Sequence, residues 1–372
     1  PYLKTMELKV GNLIGQGQIS INVAKQAGDE RAIAIQQIKP GSGWQLSKDS
    51  YDRDAIRGLN LKIAQNKFKA ITSVVVIKDG GLLIEEYFNG ANRETKHDPR
   101  SATKSFTSAL MGIAIGQGHI KDENVTLKSF YDLTPYSNYS AGKDSITLKS
   151  LLTMSSPLDG SDMNEDSPGN EEKMYPTSNW VKFALDLPID ATKATNAHWD
   201  YFTAGVILLG DILNKSVPRG LEQYSAQKLF GPLGITNFAW QETPQHVVNT
   251  AGSLQMNSLD YAKFGQLYKN GGSWNGLQII PKSWIDSTFT KAFEIPERTN
   301  EYYGYLFWEK SYPVRGKSYE TWYCSGNGGS SIFVFRDLRL VVVITAAAYN
   351  QPYGHSQIDK IMERYILPAV AN

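Results

Sequence analysis

The 372-residue chain has one cysteine, Cys324, and five histidines, His97, His119, His198, His246 and His355. A single thiol excludes an internal disulfide and any metal site built from several cysteines. The histidines are scattered and no His-Glu-x-x-His occurs, so none is assigned a metal; they read as structural or solvent-facing. Charge of one sign is missing too. Lys and Arg number 38 against 37 Asp and Glu, with no basic run. No net field draws the chain to nucleic acid or anionic lipid. No apolar stretch is long enough to span a bilayer. Cys324 lies in a strand-like run, Tyr319 to Ser325, and reads as a buried thiol rather than a reactive one.

A chain of this length can bury a large core, in two or three lobes or in one large domain. It begins at Pro1, as an exported protein trimmed of its signal would, and as a truncated chain would. The expectation is a periplasmic or secreted bacterial protein, with the cytoplasm left open. The three Asn-x-Ser/Thr sequons, at Asn124, Asn138 and Asn214, are about what chance gives. Gly11, Gly15 and Gly17 approach a dinucleotide loop, but Ser20 replaces the last glycine and no βαβ unit surrounds it, which excludes nucleotide binding.

One short stretch organises the rest: Arg100-Ser101-Ala102-Thr103-Lys104-Ser105-Phe106. A serine and a lysine three residues apart share one side of a helix, within reach of each other. That pairing can activate a hydroxyl without a histidine. Ser-x-x-Lys occurs three times, at Ser101–Lys104, Ser140–Lys143 and Ser225–Lys228, so context must decide. Upstream of Ser101, Ser73 to Lys78 and Leu82 to Phe88 flank Asp79-Gly80-Gly81 and read as a hairpin. Downstream, Phe106, Ala109, Leu110, Ile113 and Ala114 trace one buried helical stripe, off which Ser101, Lys104, Ser105 and Ser108 fall. Ser101 therefore sits near the start of a largely buried helix, where free N–H groups favour negative charge. Ser140 lies in a polar loop and Ser225 in a surface helix, Leu221 to Phe230; both read as solvated.

Elsewhere, Gln18 to Val23 alternates like a strand and Tyr51 to Asn66 is helical in pattern. Asp144-Ser145 caps Ile146 to Met154, and Pro157 to Asn170 is a long polar surface loop of the kind that forms lids or binding loops. Helical patterns follow at Trp180 to Leu187, from Tyr201 through Leu213, and at Leu259 to Lys269 after Ser258. Tyr303 to Trp308, Tyr319 to Ser325, Ser330 to Phe335 and Leu338 to Thr345 read as strands, and Gln357 to Ile366 as a last helix. The reading is an α+β sandwich. Its antiparallel sheet is flanked by helices and assembled from 61–98 and 301–372. A mostly helical lobe, 99–300, is inserted, and 1–60 precede it as a segment of unknown role.

These landmarks resemble the serine β-lactamase and penicillin-binding-protein superfamily, most closely its class C branch with β-lactamase-fold esterases and 6-aminohexanoate-dimer hydrolase. The likeness runs from about Ile71 to the C-terminus through Val76 to Gly80, Glu85 to Gly90, Ser101 to Ser105, Ile146 to Met154, Asn179 to Pro188, Phe230 to Gly234 and Gly326 to Gly329. The family's first motif, Ser-x-x-Lys, is matched by Ser101 and Lys104. Its second, Tyr-x-Asn, is matched by Tyr201-Phe202-Thr203 at the tyrosine only; Thr203 keeps a hydroxyl and loses the amide. Its third, Lys-Thr-Gly or His-x-Gly on an edge strand, is met best by Asn327-Gly328-Gly329, without the cation that faces a carboxylate in β-lactam and peptide substrates.

The resemblance implies acyl transfer with no metal or cofactor. Ser101 attacks a carbonyl, Lys104 takes its proton, Tyr201 relays that proton to the leaving group, and water frees the acyl-enzyme. By the same analogy, the backbone N–H groups of Ser101 and Ser330 form the oxyanion hole, and Asn327, Gly328, Gly329 and Thr203 contact the substrate. No Ser-Asp-Asn occurs, which favours the tyrosine version over a glutamate-held water. The expected activity is an esterase or amidase on small acyl compounds, linear amides included. The alternatives are a weak β-lactamase or D-amino-acid peptidase and, in another class, a non-catalytic sensor of cell-wall fragments. Oligomeric state is open. Tyr175, Trp180, Trp199, Trp308 and Trp322 are each a pocket wall or a core aromatic.

Overall fold

The computed structural model describes residues 34–371 except 42 and 194–196. The strand expected at Gln18 to Val23 and the glycines at 11–17 lie outside the described residues. β1 (Ile71–Lys78) and β2 (Gly81–Tyr87) form the expected hairpin. Asp79 and Gly80 both take positive φ, +52° and +80°, as a two-residue turn matched to strand twist requires. Six more strands come from the far end of the chain: β3 (Phe293–Glu294), β4 (Tyr302–Tyr303), β5 (Trp308–Val314), β6 (Lys317–Ser325), β7 (Ser331–Phe335) and β8 (Leu340–Ala346). They join the hairpin in one eight-stranded antiparallel sheet, order β2-β1-β8-β7-β6-β5-β4-β3. β1 pairs β8 with Val74 opposite Ile344 and Val76 opposite Val342.

Why Val74 to Ile77 and Leu340 to Ile344 are unbroken apolar runs follows from this sheet. Successive side chains point to opposite faces, and both faces are covered. Val74, Val76, Val342 and Ile344 pack with Ile56 and Leu59 of helix α1 (Arg53–Ala64) and with Ile358 and Ile361 near the C-terminus. Val75, Ile77, Val341 and Val343 face the other core, which holds helices α2 (Lys104–Gly116), α3 (Thr203–Ser216) and α4 (Ser258–Lys269). α1 is capped by Asp52, whose carboxylate accepts from the N–H groups of Asp54 and Ala55. That helix spans residue 60, so the expected boundary there falls inside one packed element. β3 likewise starts the second strand set before residue 301.

α2 is the largely buried helix expected, its polar side chains included: every residue from Lys104 to Ala114 is buried. Several other expectations are corrected. Ser225 is buried, not solvated; its hydroxyl donates to the Glu222 carbonyl and accepts from the Trp240 indole. Ser140 is exposed, but its partner Lys143 is buried, with Nζ donating to the carbonyls of Ser137 and Leu185. The segment after Asp144 is capped by Thr147 and is helical only over Leu148–Leu152. α4 is capped by Asn257, whose side chain accepts from the Asp260 N–H, rather than by Ser258. The strand expected over Tyr303 to Trp308 breaks at Leu306, which takes φ +58° and turns its carbonyl to the Ser105 hydroxyl. Strand continues from Trp308 to Val314, a stretch whose Pro313 and charged residues masked it. The loop 157–170 reaches the surface at 163–166 and is packed at both ends: Leu158, Ser161, Ser167 and Asn170 are buried, and an added Cβ at Gly160 would lie 2.1 Å from the Phe202 ring.

Candidate active site

Ser101 lies in a 3₁₀ turn, Arg100–Thr103, that runs straight into α2. Arg100 holds φ +49°, and its N–H donates to the Asp98 carboxylate at 2.9 Å. One turn on, Lys104 is 2% exposed. Its Nζ donates to Ser101 Oγ at 2.9 Å and to the Ala251 carbonyl at 2.8 Å. The loop bearing Ala251 is tied to the same turn, with the Leu254 N–H donating to Thr103 Oγ1 and the Ser253 N–H to the Arg100 carbonyl.

Tyr201 enters from the residues just before α3. Its ring stacks on Trp308 with centroids 5.4 Å apart and stands edge-on to Tyr303. Lys104 Nζ lies 5.1 Å from the ring centroid, and the Ser101 side chain is near enough to the phenol to act on its pKa. Burial raises the phenol's pKa, against the pull of the Lys104 charge and the Ser101 hydrogen bond, so the hydroxyl is held protonated. The three side chains expected to act together are thus brought together.

The sheet reaches this group at the end of β6. Gly326 sits so close that an added Cβ would lie 2.0 Å from the Pro99 carbonyl oxygen and 2.8 Å from the Ser101 nitrogen. Only glycine lets the strand end touch the Ser101 turn. Ser325, Gly326 and Asn327 line the cleft into which Ser101 opens. The other sheet residues singled out from sequence lie elsewhere. Gly328 bridges to Ala348, and Gly329 presses against the Gly354 carbonyl, with φ of +98° and +96°. Ser330 is buried, its hydroxyl exchanging hydrogen bonds with the Ala346 backbone. The reason is local: the Gly328-Gly329 turn folds the chain away from Ser101 to start the inner strand β7. Asn327 does line the cleft, but its amide is engaged with Asn350, donating to its side chain and accepting from its N–H at 2.8 Å. Thr203 is buried at the first turn of α3 and lines a second cleft beside Ser101.

Two clefts meet at Ser101. The larger, about 650 Å³, has Tyr201, Trp308, Tyr323 and Phe333 as aromatic walls. The smaller, about 350 Å³, is walled by Tyr175, Trp180 and Tyr349. Trp199 and Trp322 are core aromatics, 6% and 2% exposed. Three cleft residues were not singled out from sequence. Asp162 is on the packed polar loop, Glu171 opens the short helix Glu171–Met174, and His355 hydrogen-bonds Ser325 Oγ through Nδ1 at 3.3 Å. Asp162 accepts from the N–H groups of Thr203 at 2.6 Å and Glu171 at 2.9 Å. Burial and the neighbouring Glu171 carboxylate push its pKa up to about 6, with hydrogen bonding from Thr203 and the Lys104 charge pulling the other way. The composition of the polar run marked a loop, but nothing in it marked one carboxylate.

Among the described residues no three His, Cys, Asp or Glu side chains are grouped to hold a metal ion, and no helix is long and apolar enough to cross a membrane.

Solved structures share this architecture. A Bacillus anthracis protein assigned as a 6-aminohexanoate-dimer hydrolase is 18% identical, with 81% of this chain and 80% of that one covered at a TM-score of 0.66. An octameric penicillin-binding protein homologue from Pyrococcus abyssi is 20% identical, with 83% and 76% covered and a TM-score of 0.62. A family VIII carboxylesterase is 15% identical, with 88% and 98% covered, also at 0.62. At these identities the likeness is one of fold. No curated protein is a sequence match. The sequence pattern described as Beta-lactamase matches residues 65–364, a stretch that takes in Ser101, Lys104, Tyr201 and the whole eight-stranded sheet, and the chain belongs to the Beta-lactamase family.

Proposed function

We propose that the protein is a serine hydrolase that cleaves small esters or amides through an acyl-serine intermediate. One observation carries this: Lys104 Nζ lies 2.9 Å from Ser101 Oγ and 5.1 Å from the centre of the Tyr201 ring, and Ser101 and Tyr201 open into the same cleft. In this reading Lys104 takes the Ser101 proton as Oγ attacks the carbonyl. Tyr201, a protonated phenol, gives its own proton to the leaving group and is reprotonated from Lys104. Water then attacks the acyl-serine along the reverse path.

The tetrahedral oxyanion would lie between the Ser101 N–H and the strand end at Gly326. Its second donor would be the N–H of Asn327 rather than that of Ser330, since Gly326 is what touches the nucleophile turn. The peptidase and β-lactamase alternatives need a cation at that strand end. Ser325, Gly326 and Asn327 supply none.

Turnover of p-nitrophenyl butyrate beside nitrocefin, with fluorophosphonate labelling read by intact mass, tests the proposal. The ester is hydrolysed faster than nitrocefin, and one label adds to the wild type and none to Ser101→Ala. Full esterase activity in Ser101→Ala would sink it.

A further inference from the structure

Arg100, the residue before Ser101, holds a backbone conformation that arginine seldom adopts. Its φ of +49° lies in the left-handed region, where a side chain crowds its own backbone. Such strain persists only where the surroundings over-determine it. Here both ends of the residue are tied. The Arg100 N–H donates to the Asp98 carboxylate at 2.9 Å, and the Arg100 carbonyl accepts from the Ser253 N–H at 3.3 Å. The guanidinium lies 4.8 Å from the centre of the Tyr349 ring, and its Nε lies 3.3 Å from the same Asp98 carboxylate. Tyr349 in turn donates its hydroxyl to the Asp98 carbonyl at 3.0 Å. One ring of contacts through Asp98 and Tyr349 thus holds the backbone and the side chain of Arg100 together.

The conformation has a direct consequence one residue on. Arg100 and Ser101 share a peptide unit, and in a trans peptide the C=O and N–H point opposite ways. With the carbonyl turned to Ser253, the Ser101 N–H points away from that loop. The strand end comes close to it: an added Cβ at Gly326 would lie 2.8 Å from the Ser101 nitrogen. Among the described residues this N–H has no acceptor. It is a free donor beside the attacking hydroxyl, as an oxyanion donor must be. Relaxing Arg100 to an ordinary negative φ would rotate the shared peptide unit and carry the N–H with it.

We propose that Arg100 is a positioning residue: its guanidinium, held on Tyr349 and Asp98, keeps the strained turn that aims the Ser101 N–H at the oxyanion. The proposal rests on the acyl-serine reading for the oxyanion and goes beyond it in naming what fixes the donor. Arginine suits the task because it stays charged, and its flat guanidinium can lie on a ring while Nε faces a carboxylate. Glycine takes the same φ without strain and alanine does not. That difference separates aiming the peptide from any contact the side chain itself makes.

The test sets Arg100→Ala beside Arg100→Gly on p-nitrophenyl butyrate and on its thionoester. A thiono sulfur is a weaker hydrogen-bond acceptor than oxygen, so the rate ratio of the two esters reads the oxyanion donors. Arg100→Ala lowers kcat about tenfold or more with KM within about threefold, and the preference for the oxygen ester shrinks with it. Arg100→Gly returns kcat and the preference to within about threefold of wild type. An unchanged preference in Arg100→Ala overturns the proposal. So do equal losses in the two variants, which would make the side chain a substrate contact instead. Crystal structures of both variants read the peptide without turnover. The φ at residue 100 turns negative in Arg100→Ala and stays positive in Arg100→Gly; a positive φ in Arg100→Ala overturns the proposal. Wild-type protein that neither takes the fluorophosphonate label nor cleaves the ester fails the acyl-serine reading, and the crystal structures still decide whether Arg100 holds the turn. Labelling and turnover that both variants leave unchanged would fail this proposal alone.

Discussion

The backbone N–H of Asp162 donates to the carbonyl oxygen of Tyr201 at 2.7 Å. The same aspartate accepts from the Thr203 N–H, so it grips the chain on both sides of Phe202 and sets where the phenol emerges. α3 begins at Thr203 with no side-chain cap from its own N-cap residue, and Asp162 supplies that acceptor from a distant loop. The Tyr201 ring then has Lys104 Nζ 5.1 Å and the Trp308 ring 5.4 Å from its centre.

Removing the hydroxyl alone separates these roles. Tyr201→Phe keeps the ring stacked on Trp308, so the melting temperature stays within a few degrees. The proton path is cut, and kcat on p-nitrophenyl butyrate falls about 10²- to 10⁴-fold with little change in KM. Stopped-flow and steady-state kinetics check this; an unchanged kcat would remove the phenol from the relay.

Gly326→Ala is expected to be severe for so small a change. The added carbon would meet the Pro99 carbonyl oxygen, a backbone atom that cannot move without shifting the nucleophile turn. The strain costs about 1–3 kcal/mol, read as a lower unfolding midpoint in urea. The displaced strand end lowers kcat/KM about 100-fold or more, a loss of the size seen when an oxyanion donor goes.

Asp162 gives a pH signature. Its folded pKa of about 6 stands above the value of about 3.9 for an unfolded aspartate. Between those values the folded chain holds the extra proton, so the contribution of this group to stability is complete below about pH 4 and is lost as the pH rises through about 6. Asp162→Asn cannot ionise. Its melting temperature relative to wild type therefore shifts in the variant's favour between pH 4 and pH 7, whatever the offset from the altered hydrogen bonds. A difference that stays flat across that range would remove the raised pKa.

Much of the catalytic group was legible because its signals are local. Ser101 and Lys104 are three residues apart, so any helix start brings them within reach. The Asp79-Gly80 turn fixes a hairpin, and unbroken valine runs announce strands. Tyr201 is legible by resemblance and order rather than by its surroundings. The misplacement of Ser330 has a physical cause: sequence shows a glycine-rich strand junction but not which glycine the nucleophile turn presses against. Gly328 and Gly329 serve the turn into β7, while Gly326 makes the contact. Ser225 looked solvated because it is polar, yet its hydrogen bonds are met inside the fold.

By itself the sequence determined the Ser101–Lys104 pairing, the hairpin, the sheet drawn from both ends of the chain and the absence of a cation at the strand end. These depend on spacings of a few residues and on side-chain chemistry, which survive any packing. Only the tertiary structure decided which glycine meets Ser101, that Asp162 holds the backbone on both sides of Phe202, and that Asp162 and Glu171 line the cleft. Those residues come from loops and helix starts far apart in the chain, and their meeting is set by how two cores close on opposite faces of one sheet.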